Sequence, residues 1–247
     1  MGGESQIERE LHLIVDGASS KGIALRAFGG LAVQVHCTQR TRLLASYQRS
    51  HRDIDLVARS SDLRVVLDYF RDIGYKDDPF FVRMSGGLRR NLSHPQKKVS
   101  VDLFFDKIRF CQVLDLRSRL ELDYPTVSLA DLLLTKMQRI DLQPEDIYDI
   151  LVLLIDHDLG NNDDEVINIE YIAKLCSSKW RWWRTLKQNI GHLDALGDDR
   201  EIVTGDVTSK LRMISEAIDL PCKSLGWKLR SLLGERLEWH DPVQQSP

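Results

Sequence analysis

The stretch Arg52-Asp53-Ile54-Asp55-Leu56-Val57 limits what this chain can fold into more than any other. Acids alternating with apolar residues read as a β-strand, in which side chains two apart point to the same face of the pleat. Both carboxylates then share that face. They repel each other there, and they resist burial as ions unless cations lie close by. A fold that keeps this strand has to bring positive charge to Asp53 and Asp55.

Two neighbouring segments indicate how. Val99 to Phe105, "VSVDLFF", is a further strand whose apolar alternation is interrupted by Asp102. A third carboxylate on a neighbouring strand completes an oxygen-rich set suited to Mg2+ or Mn2+, hard cations that take carboxylates together with substrate phosphates. Two such ions can activate an attacking hydroxyl and steady a leaving pyrophosphate. Asp106, at the end of the same strand, is an alternative to Asp102. For Asp53 and Asp55 the other reading is an exposed pair salt-bridged to Arg52 or to Arg40, Arg42 and Arg49.

Upstream, Ile23 to Phe28 reads as a short strand closed by Gly29-Gly30, with a helix starting at Leu31 to His36. A glycine pair at such a turn lets backbone amides approach a phosphate, and a helix N-terminus favours negative charge. Arg52 can reach a triphosphate, because guanidinium matches phosphate geometry, or pair with a nearby acid.

Over roughly residues 23 to 105 the chain resembles the nucleotidyltransferase superfamily: a strand, a Gly-Gly or Gly-Ser turn, a helix, D-x-D, and an aspartate on a third strand. The block "LLLTKMQR…EDIYDILVLL", Leu132 to Leu154, is similar to the abortive-infection toxin branch of that superfamily. The resemblance implies a nucleotidyltransferase α/β (α+β) fold, a mixed sheet flanked by helices in residues 1–127 with a helical domain in 128–247. It implies a nucleoside triphosphate substrate held by Gly29 and Gly30, metal on Asp53 and Asp55, and Asp102 activating an acceptor hydroxyl. Lys136, Asp146 and Asp149 match the helical lysine and the following Asp-x-x-Asp that support the nucleotide. An antitoxin protein is an implied partner. The other readings are a snorkelling surface Lys136 and a helix-start role for Asp146.

Charge bears on the acceptor. Residues 21–120 hold 19 Lys and Arg against 10 Asp and Glu, whereas 121–247 hold 14 against 23. A basic half suits a nucleic-acid end such as that of tRNA, or binds the acidic half, and the hairpin residues Arg83, Arg89, Arg90, Lys97 and Lys98 could touch that end, with a solvated face the favoured reading. The acidic half suits a cationic small molecule such as an aminoglycoside. A silent nucleotide-binding module is the third possibility. In "KWRWWRT", Lys179 to Thr185, packing of Trp180, Trp183 and the later Trp227 in a helical core is favoured over base stacking.

Elsewhere, Ile7 to Val15 reads as a helix stopped by Asp16 to Gly22, Asp62 to Ile73 as an amphipathic helix ended by Gly74, and Phe80 to Met84 with Leu88 to Leu92 as a hairpin. Thr38 to His51 reads as a loop, Ser128 to Ile140 and Glu145 to His157 as helices, Gly160 to Glu165 as a loop, and Glu201 to Val203 as an isolated strand. Four scattered cysteines with no CxxC pair indicate neither zinc nor a disulfide framework. No apolar run of about 18 residues and no basic-then-apolar leader occurs, so a cytoplasmic protein with no membrane partner is expected.

Overall fold

The structure, a computed structural model, describes residues 5–36, 51–85, 87–196 and 205–242. The expectations for Thr38 to Ser50, for Glu201 to Val203, and for Arg40, Arg42 and Arg49 lie outside these residues. The chain divides into two compact units. The first contains residues 5–36, 51–85, 87–108 and 115–128, and the second contains 109–114, 129–196 and 205–242.

In the first unit, α1 spans Gln6–Ser20, opened by a capping box in which the Ser5 side chain accepts from the Glu8 amide while Glu8 accepts from that of Ser5. The helix does not stop at Asp16. It runs to Ser20 because Leu11, Ile14, Val15 and Ala18 continue one buried stripe. β1 (Arg26–Phe28) leads into α2 (Gly29–His36), and β2 (Asp53–Ala58) into α3 (Leu63–Asp72), which buries Val66, Tyr69 and Phe70. Short β3 (Lys76–Asp77) is followed by α4 (Pro79–Met84), β4 (Arg89–Ser93) and β5 (Ser100–Phe105). The expected strand at Phe80 to Met84 is thus a helix. Asp78 accepts from the amides of Phe80 and Phe81 at 2.9 and 3.2 Å, and Pro79 takes the first helical position.

The five strands form one mixed sheet in the order β1-β2-β5-β4-β3, with β2 and β5 parallel and the other pairs antiparallel. Helices flank it, as expected. One face of its central rows, Ile54, Leu56, Val101 and Leu103, is wholly buried, each side chain contributing about 1.5–3 kcal/mol by leaving water. The opposite face carries the acids, so β2 is a two-sided strand and its carboxylates do not enter the core.

The second unit is helical: α5 (Leu129–Met137), α6 (Pro144–Asp156), α7 (Ile169–Ser178), α8 (Trp180–Ala195), α9 (Gly205–Asp219) and α10 (Leu225–Leu233). Lys210 donates to the carbonyls of Leu154 and His157 at 2.9 and 3.2 Å, placing a buried cation at the C-terminus of α6. Trp180 and Trp182 are buried, whereas Trp183 and Trp227 are half-buried and meet edge to face at 5.4 Å. Cys111 and Cys176 are buried free thiols, and burial pushes that of Cys176 up to about 12.

Candidate active site

Three strands and one turn assemble the site in the first unit. At the end of β1 the chain turns through Gly29, whose φ is +79°, and enters α2. Glycine is required there twice over, because L side chains rarely adopt that backbone conformation and because an added Cβ would strike the Asp55 carboxylate. Gly30 follows in the first turn of α2, and both glycines are buried.

Across the sheet, Phe28, Asp55, Asp102 and Asn91 lie in register, one from each of β1, β2, β5 and β4. Adjacent strands are about 4.8 Å apart, so Asp55 and Asp102 present their carboxylates side by side on one face. Two residues toward the strand starts, Asp53 faces Ser100, whose hydroxyl donates to the Asp53 carboxylate. Asp53 is exposed, and Asp55 and Asp102 are half-buried.

The cation beside the third acid, Asp102, is Arg89. Its Nε donates to the two Asp102 oxygens at 2.9 and 3.1 Å, and its Nη2 donates to Oδ2. The guanidinium lies 4.7 Å from the Phe104 ring and 5.2 Å from that of Phe81, and Phe104 meets Phe28 edge-on at 5.2 Å. Side-chain exposures of 16% and 14% leave this pair poorly screened by solvent. Arg89 was expected only as one basic residue of a hairpin. Its register opposite Phe104, two residues along β5 from Asp102, is what puts it on the face of the acid.

Asp106, the alternative to Asp102, has a different task. Its φ is +63°, and it accepts from the Ser60 amide at 2.9 Å and the Ser60 hydroxyl at 2.6 Å, fixing the turn after β2.

Among the described residues no three His, Cys, Asp or Glu side chains cluster closely enough to hold a metal ion. Two carboxylates stand together at Asp55 and Asp102, with Asp53 next along β2. Since Mg2+ is commonly bound by one or two carboxylates with phosphate oxygens and water completing the shell, this donor set fits such a cation.

In the second unit Lys136 is not a surface lysine. It is buried, with Nζ 2.7 Å from Asp149 and 3.5 Å from Asp146, and Asp146 lies 3.3 Å from Arg139. Two cations and two anions make a neutral cluster. Asp146 also accepts from the Gln143 amide at 3.4 Å, as a helix-start acid does. Arg52 is exposed at the start of β2.

No family model matches the chain, and no curated protein does. Among solved structures it is similar to the lincosamide antibiotic adenylyltransferase LnuA, lincomycin-bound, at 23% identity over 59% of this chain and 95% of that one, with a TM-score of 0.42. It is also similar to the antibiotic-resistance factor ANT(2'')-Ia, at 12% identity over 62% and 85% of the two chains, with a TM-score of 0.39. At that level of likeness, function has to be read from this chain's own residues. No helix among the described residues is long and apolar enough to cross a membrane.

Proposed function

We propose that this chain is a metal-dependent nucleotidyltransferase that moves a nucleoside monophosphate from a nucleoside triphosphate to an acceptor hydroxyl. The observation that supports this most is the in-register Asp55–Asp102 pair set against Gly29, where any side chain would collide with the acid. In this reading the amides of Gly29 and Gly30 hold the triphosphate. Asp55 and Asp102 would hold Mg2+ or Mn2+, with Asp53 as the further acid along β2, and the ion when bound offsets charge on the phosphates and on the leaving pyrophosphate.

Asp102, oriented by Arg89, takes the proton of the acceptor hydroxyl. The hydroxyl oxygen bonds to the α-phosphorus as the bond to the α,β-bridging oxygen breaks, and pyrophosphate leaves. The acceptor is an RNA end such as that of tRNA, consistent with the basic composition of residues 21–120 and with the toxin-like block, and a cytoplasmic setting with an antitoxin partner goes with that branch.

Incubation with α-labelled nucleotides, Mg2+ and either total RNA or an aminoglycoside panel tests the reading. Label in RNA that disappears in Asp53→Ala and Asp55→Ala supports it. Label in an antibiotic keeps the reaction and replaces the acceptor, and no label anywhere overturns the enzyme.

A further inference from the structure

A cavity of about 700 Å³ opens beside Asp53, in the first unit, and none of Gly29, Gly30, Asp55 or Asp102 lines it. Its walls come from the start of α1, from Gln34 of α2, from His51 to Asp53 and from the β4–β5 turn, Gln96 to Ser100. It is in the size range of a small-molecule or nucleotide-fragment site. Its charge is one-sided. Among the described residues that line it, Arg52, Lys97 and Lys98 stand against the single acid Asp53. Lys97 is engaged by Glu10 at 2.7 Å, which leaves Arg52 and Lys98, both exposed and neither with an ion-pair partner among the described residues.

The turn that presents Lys98 is built to do so. His94 Nδ1 accepts the amides of Gln96 and Lys97, each at 3.2 Å, and the His94 ring meets Tyr75 edge-on at 5.2 Å. The Tyr75 hydroxyl donates to Glu10 at 3.0 Å, the same carboxylate that holds Lys97. Within that clamp Lys98 has φ of +51°, a conformation that costs a side-chain-bearing residue energy and persists only where the surroundings impose it. The start of α1 adds little positive potential, because Glu8 already caps it.

We propose that this cavity binds a phosphate group of the acceptor through Arg52 and Lys98, so that the acceptor is a phosphate-bearing hydroxyl compound and not a cationic antibiotic. The proposal rests on the nucleotidyl-transfer reading for its second half. In that reading the triphosphate lies at Gly29–Gly30, and neither glycine lines this cavity, so its cations are left for another anion. A cationic acceptor would meet two positive charges that no acid among the described residues pairs with, beside the acid that it has to approach.

Binding is measured without turnover, so it can fail separately from the transfer reaction. The full chain is titrated with a uridine hexaribonucleotide, with glycerol 3-phosphate and with MgATP, alongside Lys98→Gly, which suits the positive φ, and Lys98→Glu. At least one phosphate probe binds the wild type, Lys98→Gly weakens it about tenfold, as expected for one charge-assisted contact, Lys98→Glu weakens it further, and MgATP affinity stays within about twofold. Binding of the hexaribonucleotide alone identifies a nucleic-acid end, and binding of glycerol 3-phosphate identifies a phosphorylated small molecule; either supports the proposal. No binding of either probe to the wild type, or an equal loss of MgATP affinity in Lys98→Gly, overturns it, the latter by assigning the cavity to the triphosphate.

Discussion

Gly29→Ala tests the site geometry most directly, because two separable penalties meet at one atom. The backbone at Gly29 has φ of +79°, and holding an L residue in the left-handed region costs about 1–2 kcal/mol. The new Cβ also falls onto the Asp55 carboxylate and lies 3.3 Å from the Asp55 Cβ, so the acid has to move, a further cost of about 1–3 kcal/mol by analogy with overpacked cores. Gly22 supplies the control. Its φ is +74° and nothing lies within 4 Å of an added Cβ, so Gly22→Ala carries the first penalty alone. For a chain of this size about 2–4 °C of melting temperature corresponds to each kcal/mol, which puts Gly29→Ala below Gly22→Ala by about 2–12 °C.

The overlap with Asp55 is isolated by a double-mutant cycle. With Asp55→Ala in place the carboxylate is gone, so Gly29→Ala should cost less there than in the wild type, with a coupling of about 1–3 kcal/mol read from urea midpoints. Displacing Asp55 by even an ångström should also lower nucleotidyl transfer by about a hundredfold. Equal melting of the Gly29 and Gly22 variants, together with zero coupling to Asp55, would refute the contact on which the site assignment stands.

Other perturbations read other parts of the molecule. Arg89→Met withdraws the guanidinium from Asp102 and should destabilise by about 3–5 kcal/mol, as for one partner of a buried pair; Mg2+ should then raise the melting temperature of the variant more than that of the wild type, and equal shifts would count against Asp55 and Asp102 as a cation site. Lys136→Met leaves Asp149 without its lysine and should cost about 3–5 kcal/mol, whereas Lys136→Met with Asp149→Leu keeps the remaining Arg139–Asp146 pair neutral and should recover most of it; a double variant as unstable as the single one in thermal melts contradicts the cluster. Burial, and then Glu10, push the Tyr75 phenol well above its ordinary value, so its contribution to stability is complete below about pH 10, the unfolded value, and is lost as pH rises toward the folded one. Tyr75→Phe should therefore be slightly less stable at neutral pH, by about 1 kcal/mol for the lost hydrogen bond, yet fall less steeply above pH 10 in alkaline melts; parallel curves would show that the phenol does not titrate with unfolding.

Much of this arrangement was legible in the sequence because it is local. The alternation of Asp53 and Asp55 with Ile54 and Leu56 fixes a two-faced strand, Gly29 marks the turn before α2, and Val66 and Phe70 set the buried face of α3. The helix at Pro79–Met84 was hidden by Phe80, Phe81 and Val82, which have strand propensity, while Asp78-Pro79 held the overriding cap signal. Lys136 could be placed on a helix by pattern, but its burial follows from α6 packing against α5 through Asp146 and Asp149, and no periodicity within either helix shows which faces will meet.

What neutralises the acids was the least legible, for a reason specific to sheets. The partner of Asp102 is 13 residues back in the chain, on a strand whose register is set by the β4–β5 turn, and a slip of one residue there would send the Arg89 side chain to the other face. The turn keeps that register through contacts remote from the acids: His94 against Tyr75, and Lys97 on Glu10 of α1. The clamp that presents Lys98 to the cavity therefore also aims Arg89 at Asp102. Loosening it with His94→Ala should weaken both at once, lowering phosphate-probe affinity at the cavity and abolishing the excess destabilisation of Arg89→Met, whereas loss of only one of these effects would mean that the turn and the acid row are set independently.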